Sequence, residues 1–125
     1  MKHLSATLHG CLDYVTVLLF LVSPSLFGLT GAAATVAHVL AGVHALMTLA
    51  TDFPLGAAKV LPFAWHGRVE RVVGPVLIVL PFGLGFDAPG RIFYVTMGTI
   101  IVLVGLLSNY QGTSDRPGRH RIAAR

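Results

Sequence analysis

The chain has 125 residues, of which 54% are hydrophobic and only 11% are charged, and its net charge is +4. Soluble domains carry about 25% charged residues, so this composition excludes an ordinary soluble globular protein. The single cysteine, Cys11, excludes an internal disulfide and a cysteine-rich metal site. Residues 14–51 and 92–114 contain no Asp, Glu, Lys or Arg. Because a helix crosses the hydrocarbon core with about 20 residues, these runs predict a polytopic membrane protein.

Four membrane-spanning helices fit this pattern. Their expected ranges, in chain order, are residues 9 or 12 to 29, 32–51, 69–86 and 91–110. The first and third connections are very short, so each pair of helices is predicted to form an antiparallel hairpin. The middle connection, residues 54–65, mixes proline, glycine and lysine with large apolar residues and ends on Trp65, which is typical of a segment in the membrane interface. The predicted fold class is an all-α membrane protein with four transmembrane helices.

Basic residues predict the orientation. Four spans place the N-terminus, the middle connection and the C-terminal tail on one side of the membrane. Arg91 is the only basic residue on the opposite side. Because Lys and Arg stay in the cytoplasm during insertion, both termini are predicted to be cytoplasmic. The tail, residues 111–125, contains four arginines and is expected to attract anionic lipid headgroups, whereas nothing in it reads bases, so nucleic acid is not an expected partner.

The chain contains an internal repeat. Residues 9–53 align with 66–110 without a gap, and eight of the aligned positions are identical. The scarce residue types that coincide are His9 with His66, Asp13 with Glu70, Pro24 with Pro81, and Gly28 with Gly85. Each copy contains two spans, so both copies enter the membrane in the same direction and are related by a pseudo-two-fold axis along the membrane normal. One membrane domain is therefore predicted: repeat one (9–53), an interfacial connection (54–65), repeat two (66–110) and the tail.

The repeat unit resembles the SPW repeat, a two-helix membrane module named for a Ser-Pro-Trp motif. Residues 23–25, Ser-Pro-Ser, match two of the three motif positions, and residues 80–82, Leu-Pro-Phe, keep only the proline. The segments at 9–14 and 51–56 also resemble those of small bacterial members, although the motif's tryptophan is missing from both copies. The resemblance implies two tandem two-helix repeats in a bacterial inner membrane. It implies no biochemical activity.

Two His-x-x-x-carboxylate units are the sharpest candidates for chemistry. His9 and Asp13, like His66 and Glu70, are four residues apart and so share one face of a helix. Brought together by the pseudo-two-fold axis, they would offer two imidazoles and two carboxylates to a divalent transition metal or a proton relay. A structural interpretation competes with this: His-Gly marks an interfacial boundary, and the acids meet the helix dipole or pair with the arginines of the third helix.

His38 and His44 lie within the second predicted helix. Polar groups there should face protein rather than lipid. Each of these histidines has two interpretations. It is a candidate haem b ligand with a partner on another helix, or it is an interhelical histidine that is hydrogen-bonded to a neighbour's hydroxyl or backbone. Their repeat equivalents are Val95 and Ile101, so no symmetric pair of haem ligands follows. Asp52 and Asn109, also repeat equivalents, are interpreted first as groups that cap helix ends, and second as supporting groups for the His-carboxylate site.

Three functions remain open from the sequence. The first is a non-enzymatic scaffold or accessory subunit that acts through helix association, as a homo-oligomer or in a larger membrane complex. The second is a membrane redox or metal protein that holds haem b or a divalent ion. The third is a small transporter or channel that works as an oligomer. No Gly-rich phosphate loop, Gly-x-Ser-x-Gly nucleophile or His-Glu-x-x-His zinc helix occurs in the chain, which favours a protein without enzymatic activity.

Overall fold

The computed structural model describes residues 4–110, and their regular structure consists of four helices and two very short strands. The helices are α1 (Ala6–Phe27), α2 (Gly31–Ala50), α3 (Phe63–Gly83) and α4 (Ala88–Leu107). The strands β1 (Thr51–Asp52) and β2 (Leu61–Pro62) pair in parallel between α2 and α3. The basic tail, on which the lipid-headgroup prediction depends, lies outside the described residues.

Local sequence signals set several helix ends. The side chain of Ser5 accepts a hydrogen bond from the Leu8 amide at 3.2 Å and so caps the start of α1. The Asp87 carboxylate accepts one from the Gly90 amide at 3.0 Å and caps α4 in the same way. At the end of α1, Gly28 has φ of 67°, the left-handed conformation that glycine adopts without steric cost.

Three of the four helices, α1, α2 and α4, are long and apolar enough to cross a membrane. Helix α3 differs because Arg68, Glu70 and Arg71 all lie in its first half. Its apolar run is therefore shorter than that of the other three helices, and a membrane crossing by α3 stays a prediction.

Helix α3 begins at Phe63, before the predicted position 69, so the last part of the predicted connection is helical. His66 and Gly67 interrupt the apolar pattern, so the pattern does not predict this helical turn. In the structure both residues are buried against protein. Helix α4 ends at Leu107, before the predicted position 110. Residues 108–110 instead continue across the end of the bundle.

Packing is most extensive within the hairpins, between α1 and α2 and between α3 and α4. An apolar core lies where the hairpins meet, and its buried side chains include Phe20, Leu77 and Tyr94. The Tyr94 hydroxyl donates a 2.7 Å hydrogen bond to the carbonyl of Ala33, which joins α4 to α2. A smaller cluster of aromatic rings closes one end of the bundle; we call it the aromatic lid, and it consists of Phe53, Phe63 and Tyr110.

Element positions in the second hairpin correspond to those in the first. Under the repeat alignment, the first residue of α1 corresponds to that of α3, and the first and last residues of α2 correspond to those of α4. The short backbone pairings also correspond under this alignment. Thr51 pairs with Leu61 in the two-stranded ladder, and Leu4 forms a parallel bridge with Ser108. Each pairing joins the segment before one hairpin to the segment after the other.

Candidate metal centre

Four ionisable side chains from two helices meet beneath the aromatic lid. We call them the inner group: His9 and Asp13 from α1, and His66 and Glu70 from α3. All four are buried, with both histidines 0% exposed and both carboxylates at most 3% exposed. The helical spacing brings each histidine to the acid of its own helix, as predicted. The packing of α1 near α3 then adds the contacts between helices.

The separations within the inner group are closely matched. His9 Nε2 lies 3.3 Å from Asp13 Oδ1 and 3.4 Å from Glu70 Oε2. His66 Nε2 lies 3.4 Å from Asp13 Oδ2 and 3.5 Å from Glu70 Oε1. When zinc binds nitrogen and oxygen ligands at about 2.0–2.1 Å, neighbouring ligand atoms of a tetrahedron are about 3.3–3.4 Å apart. The four separations are close to this spacing, and one ligand atom from each of the four residues lies within 4.8 Å of the other three.

Two hydroxyl groups fix the orientation of the histidine rings. The Thr51 hydroxyl donates to the Met47 carbonyl at 2.6 Å, and its oxygen lies 2.8 Å from His66 Nδ1. A hydroxyl has one hydrogen, so Thr51 accepts the second bond and His66 Nδ1 carries the proton.

The other histidine is held in the same way. The Ser108 hydroxyl donates to the Val104 carbonyl at 2.7 Å, and its oxygen lies 2.6 Å from His9 Nδ1. Both rings therefore turn Nε2 towards the carboxylates, and in the neutral form this nitrogen is free to bind a metal.

The Nε2 atoms of His9 and His66 are buried and have no hydrogen-bond partner among the described residues, and the same holds for Asp13 Oδ2. Buried polar atoms are nearly always satisfied, because each unmet one costs about 1–3 kcal/mol. Where both histidines are neutral, the two buried carboxylates also carry two uncompensated negative charges. A divalent cation at the centre would satisfy the nitrogens and neutralise both carboxylates.

Tyr110 holds one of the two carboxylates. Its hydroxyl donates a 2.6 Å hydrogen bond to Glu70 Oε2. Burial, together with the nearby Glu70 charge, raises the pKa of the Tyr110 phenol, so Tyr110 stays a neutral donor at physiological pH. Its repeat equivalent is Phe53, which has no hydroxyl group, so Asp13 lacks the corresponding bond.

The rings of the aromatic lid require the glycine that follows each histidine. A Cβ atom at Gly67 would lie 2.6 Å from the Tyr110 ring, and one at Gly10 would overlap the Phe53 ring. The lid also contacts the histidines directly, since the His9 ring lies 5.1 Å from the Phe63 ring between centroids. The glycine of each His-Gly pair therefore allows an aromatic ring to pack closely on the helix, and the interpretation of His-Gly as an interfacial boundary stays a prediction.

The arginines of α3 turn away from the carboxylates. Arg68 lies over the Trp65 ring, 4.7 Å from its centroid, and Arg71 lies 6.0 Å from the centroid of the Tyr110 ring. Within residues 4–110, the ion-pair contacts of Asp13 and Glu70 are all with histidines. Pairing of these acids with arginine, the structural alternative in the sequence analysis, is therefore not what the structure shows.

The two histidines of α2 lie in different surroundings. His44 Nε2 is buried, lies 3.6 Å from Asp13 Oδ1 and has no hydrogen-bond partner among the described residues. The expectation of an interhelical histidine hydrogen-bonded to a hydroxyl or backbone group is wrong at this nitrogen. His38 is exposed on the outer surface of the helix, so the expectation that it faces protein is also wrong within this chain. Haem binding by either histidine stays a prediction.

Sequence reasoning missed three residues that hold the site: Thr51, Ser108 and Tyr110. It singled out Asp52 and Asn109 in these two segments, whereas the groups that reach the inner group come from the adjacent positions. The repeat alignment paired all of these positions, so the signal was present. What it lacked was the direction of each side chain, which depends on the chain leaving the helix at Thr51 and Ser108.

Comparison of the chain with protein-family models, with curated proteins and with solved structures gives no match. The resemblance to the SPW repeat therefore stays a prediction, and function is inferred from the geometry of the site.

Proposed function

We propose that this chain is an integral membrane protein that binds one divalent transition-metal ion, of the zinc type, between its two helical hairpins. The observation that carries the proposal is the pair of buried, unpartnered histidine Nε2 atoms, each within 3.5 Å of two buried carboxylates. Two imidazoles and two carboxylates suit such an ion in donor type and in charge. Metal binding by the inner group is the part of this proposal that experiment must test.

The ion would join the two hairpins. Each hairpin supplies one histidine and one carboxylate, and each histidine is oriented by a hydroxyl from the other hairpin. Such a site needs no open coordination position, which is typical of structural metal sites. This supports a protein without enzymatic activity and is compatible with the scaffold or accessory role predicted from the sequence. Transport by an oligomer receives no specific support from these contacts.

The proposal includes the two-fold relation predicted from the repeat. It is supported by helix limits, histidine–hydroxyl bonds and glycine–ring contacts that all correspond between the hairpins under the repeat alignment. With α3 as a fourth span, the inner group lies about one to two helical turns from the helix ends, near the depth of the headgroups. Lys59, Arg68 and Arg71 mark the same end as cytoplasmic.

Metal content tests the proposed function. The full chain, purified gently in detergent, is expected to retain or take up one zinc ion per chain by elemental analysis and titration calorimetry. The double variant His9→Ala/His66→Ala is expected to take up none. The matched control is His38→Ala, since His38 is exposed on α2 away from the inner group and should leave uptake unchanged. A wild-type protein that binds no divalent transition metal would refute the proposal.

Cysteine labelling tests the orientation. Ala57 lies in the middle connection and Ala88 lies at the start of α4, and both alanines are exposed. In a Cys11→Ser background, a membrane-impermeant maleimide added to intact cells is expected to label Ala88→Cys and not Ala57→Cys. The opposite labelling pattern would show that the predicted orientation is wrong, and labelling of both cysteines would contradict the four-span topology.

A further inference from the structure

A narrow crevice between α2 and α3 leads from the side of the bundle to the inner group. The cavity has a volume of about 50 Å³, and His44 and Glu70 are its ionisable lining residues. The rest of its wall is apolar, and Val43 and Val69 are exposed at its outer side. The crevice therefore gives a lateral approach to the buried Glu70 carboxylate.

Within residues 4–110, the aromatic lid covers the end of the bundle above the inner group. Phe53, Phe63 and Tyr110 are each at most 4% exposed, and their rings contact one another directly above the histidines. The paired segments at Thr51 and Leu61 close the same end with backbone hydrogen bonds. An ion that entered from this end would have to displace the packed lid.

His44 occupies the inner end of the crevice. Its Nε2 lies 3.6 Å from Asp13 Oδ1, and the same oxygen lies 3.3 Å from His9 Nε2. His44 stands outside the inner group of four, yet it shares a carboxylate oxygen with it. An imidazole nitrogen in an apolar crevice can replace one water of an incoming ion before the ion reaches its final ligands.

We propose that His44 is the access ligand of the metal site: a divalent ion passing through the α2–α3 crevice binds His44 and Asp13 first, then moves to the inner group. The inference rests on the proposed function. In this role His44 sets how fast the ion is exchanged, because it lowers the barrier for entry and for release alike. The bound state itself is held by the other four ligands, so the affinity depends little on His44.

The opposite side of the molecule strengthens the assignment. A larger cavity of about 180 Å³ lies between α1 and α4 and is lined by Asp13 as well as Glu70. Ile101, which lines both cavities, is the repeat equivalent of His44 and offers no ligand atom. Space alone would favour this cavity, whereas a nitrogen ligand is present only in the narrower crevice. The path is therefore expected to be one-sided.

Exchange kinetics test the inference in the full chain in detergent micelles. Zinc uptake is followed by competition with a zinc-sensitive dye, and release is followed after addition of excess chelator. His44→Ala and His44→Phe are expected to slow both uptake and release by the same factor, about tenfold or more, and to leave the dissociation constant nearly unchanged. His38→Ala, on the same helix but exposed, is expected to match the wild type.

The two substitutions distinguish a metal ligand from a side chain that only fills the crevice. If His44 only fills the crevice, the smaller alanine speeds exchange while phenylalanine slows it, and the inference is overturned. It is also overturned if both variants bind more weakly with faster release, since His44 is then a permanent ligand, or if neither rate changes. If the wild type binds zinc normally in these cases, the proposed function stands. A wild type that takes up no zinc overturns the site and the access path together.

Discussion

The two helical hairpins supply the same parts to the inner group but differ in what surrounds them. Each contributes a histidine, a carboxylate one helical turn later, a glycine under an aromatic ring and a hydroxyl that orients the other hairpin's histidine. The differences lie next to these positions: Tyr110 in the second hairpin stands where Phe53 stands in the first, and His44 in the first stands where Ile101 stands in the second. In the proposed site, the shared positions would hold the ion, and the differing positions would make its binding and its access asymmetric.

The largest expected effect comes from the carboxylates, one from each hairpin. Asp13→Asn and Glu70→Gln are each expected to weaken zinc binding by at least about a hundredfold, because each removes a charged ligand. Calorimetry of both variants beside the wild type measures this. The metal-free variants should unfold no more readily than the metal-free wild type, since each loses one of two buried negative charges. A large loss of zinc affinity in one variant and none in the other would contradict the equivalence of the two hairpins.

The glycines under the aromatic rings test the same equivalence through stability. Gly10→Ala and Gly67→Ala each place a methyl group against a buried ring and are expected to destabilise the fold by about 1–3 kcal/mol. Thermal unfolding in detergent, with helicity as the signal, measures the change. Gly42→Ala is the control, because a Cβ atom at this helical position meets nothing within 4 Å. A neutral result at both Gly10 and Gly67 would contradict the packing of the lid.

The hydroxyls that orient the histidines should have a smaller effect on binding. Thr51→Val and Ser108→Ala each remove the acceptor of an Nδ1 hydrogen bond and are expected to weaken zinc binding by about 10–100-fold. Equal losses of zinc affinity would support the arrangement in which a hydroxyl of each hairpin orients the histidine of the other. If either variant binds zinc as the wild type does, that hydroxyl has no part in fixing the ring.

The smallest effect is expected where the hairpins differ. Tyr110→Phe removes the hydroxyl that donates to Glu70 and is expected to weaken zinc binding by about tenfold or less. The reciprocal change, Phe53→Tyr, gives the first hairpin the same ring as the second. Calorimetry on both variants shows whether Asp13 gains from a phenol as Glu70 does. An unchanged affinity in Tyr110→Phe would remove the phenol from the account of the site.

Much of the helical architecture could be predicted from the sequence, because long apolar runs leave few alternatives. The first helical turn of α3 could not, since His66 and Gly67 interrupt the apolar pattern and are buried only by contacts with distant segments. The pairing of His9 with Asp13 and of His66 with Glu70 followed from helical spacing. Their meeting across the hairpins depended on the repeat, and the supporting hydroxyls of Thr51 and Ser108 depended on side-chain directions that the sequence does not carry.

The count of bound ions in single-histidine variants tests the central claim most directly. If one site is shared between the hairpins, the wild type binds one zinc ion per chain. His9→Ala and His66→Ala, tested separately, should then each lose that ion from the whole chain. Two ions per chain in the wild type, with one retained in each single variant, would show that each hairpin holds its own metal and would contradict a shared site.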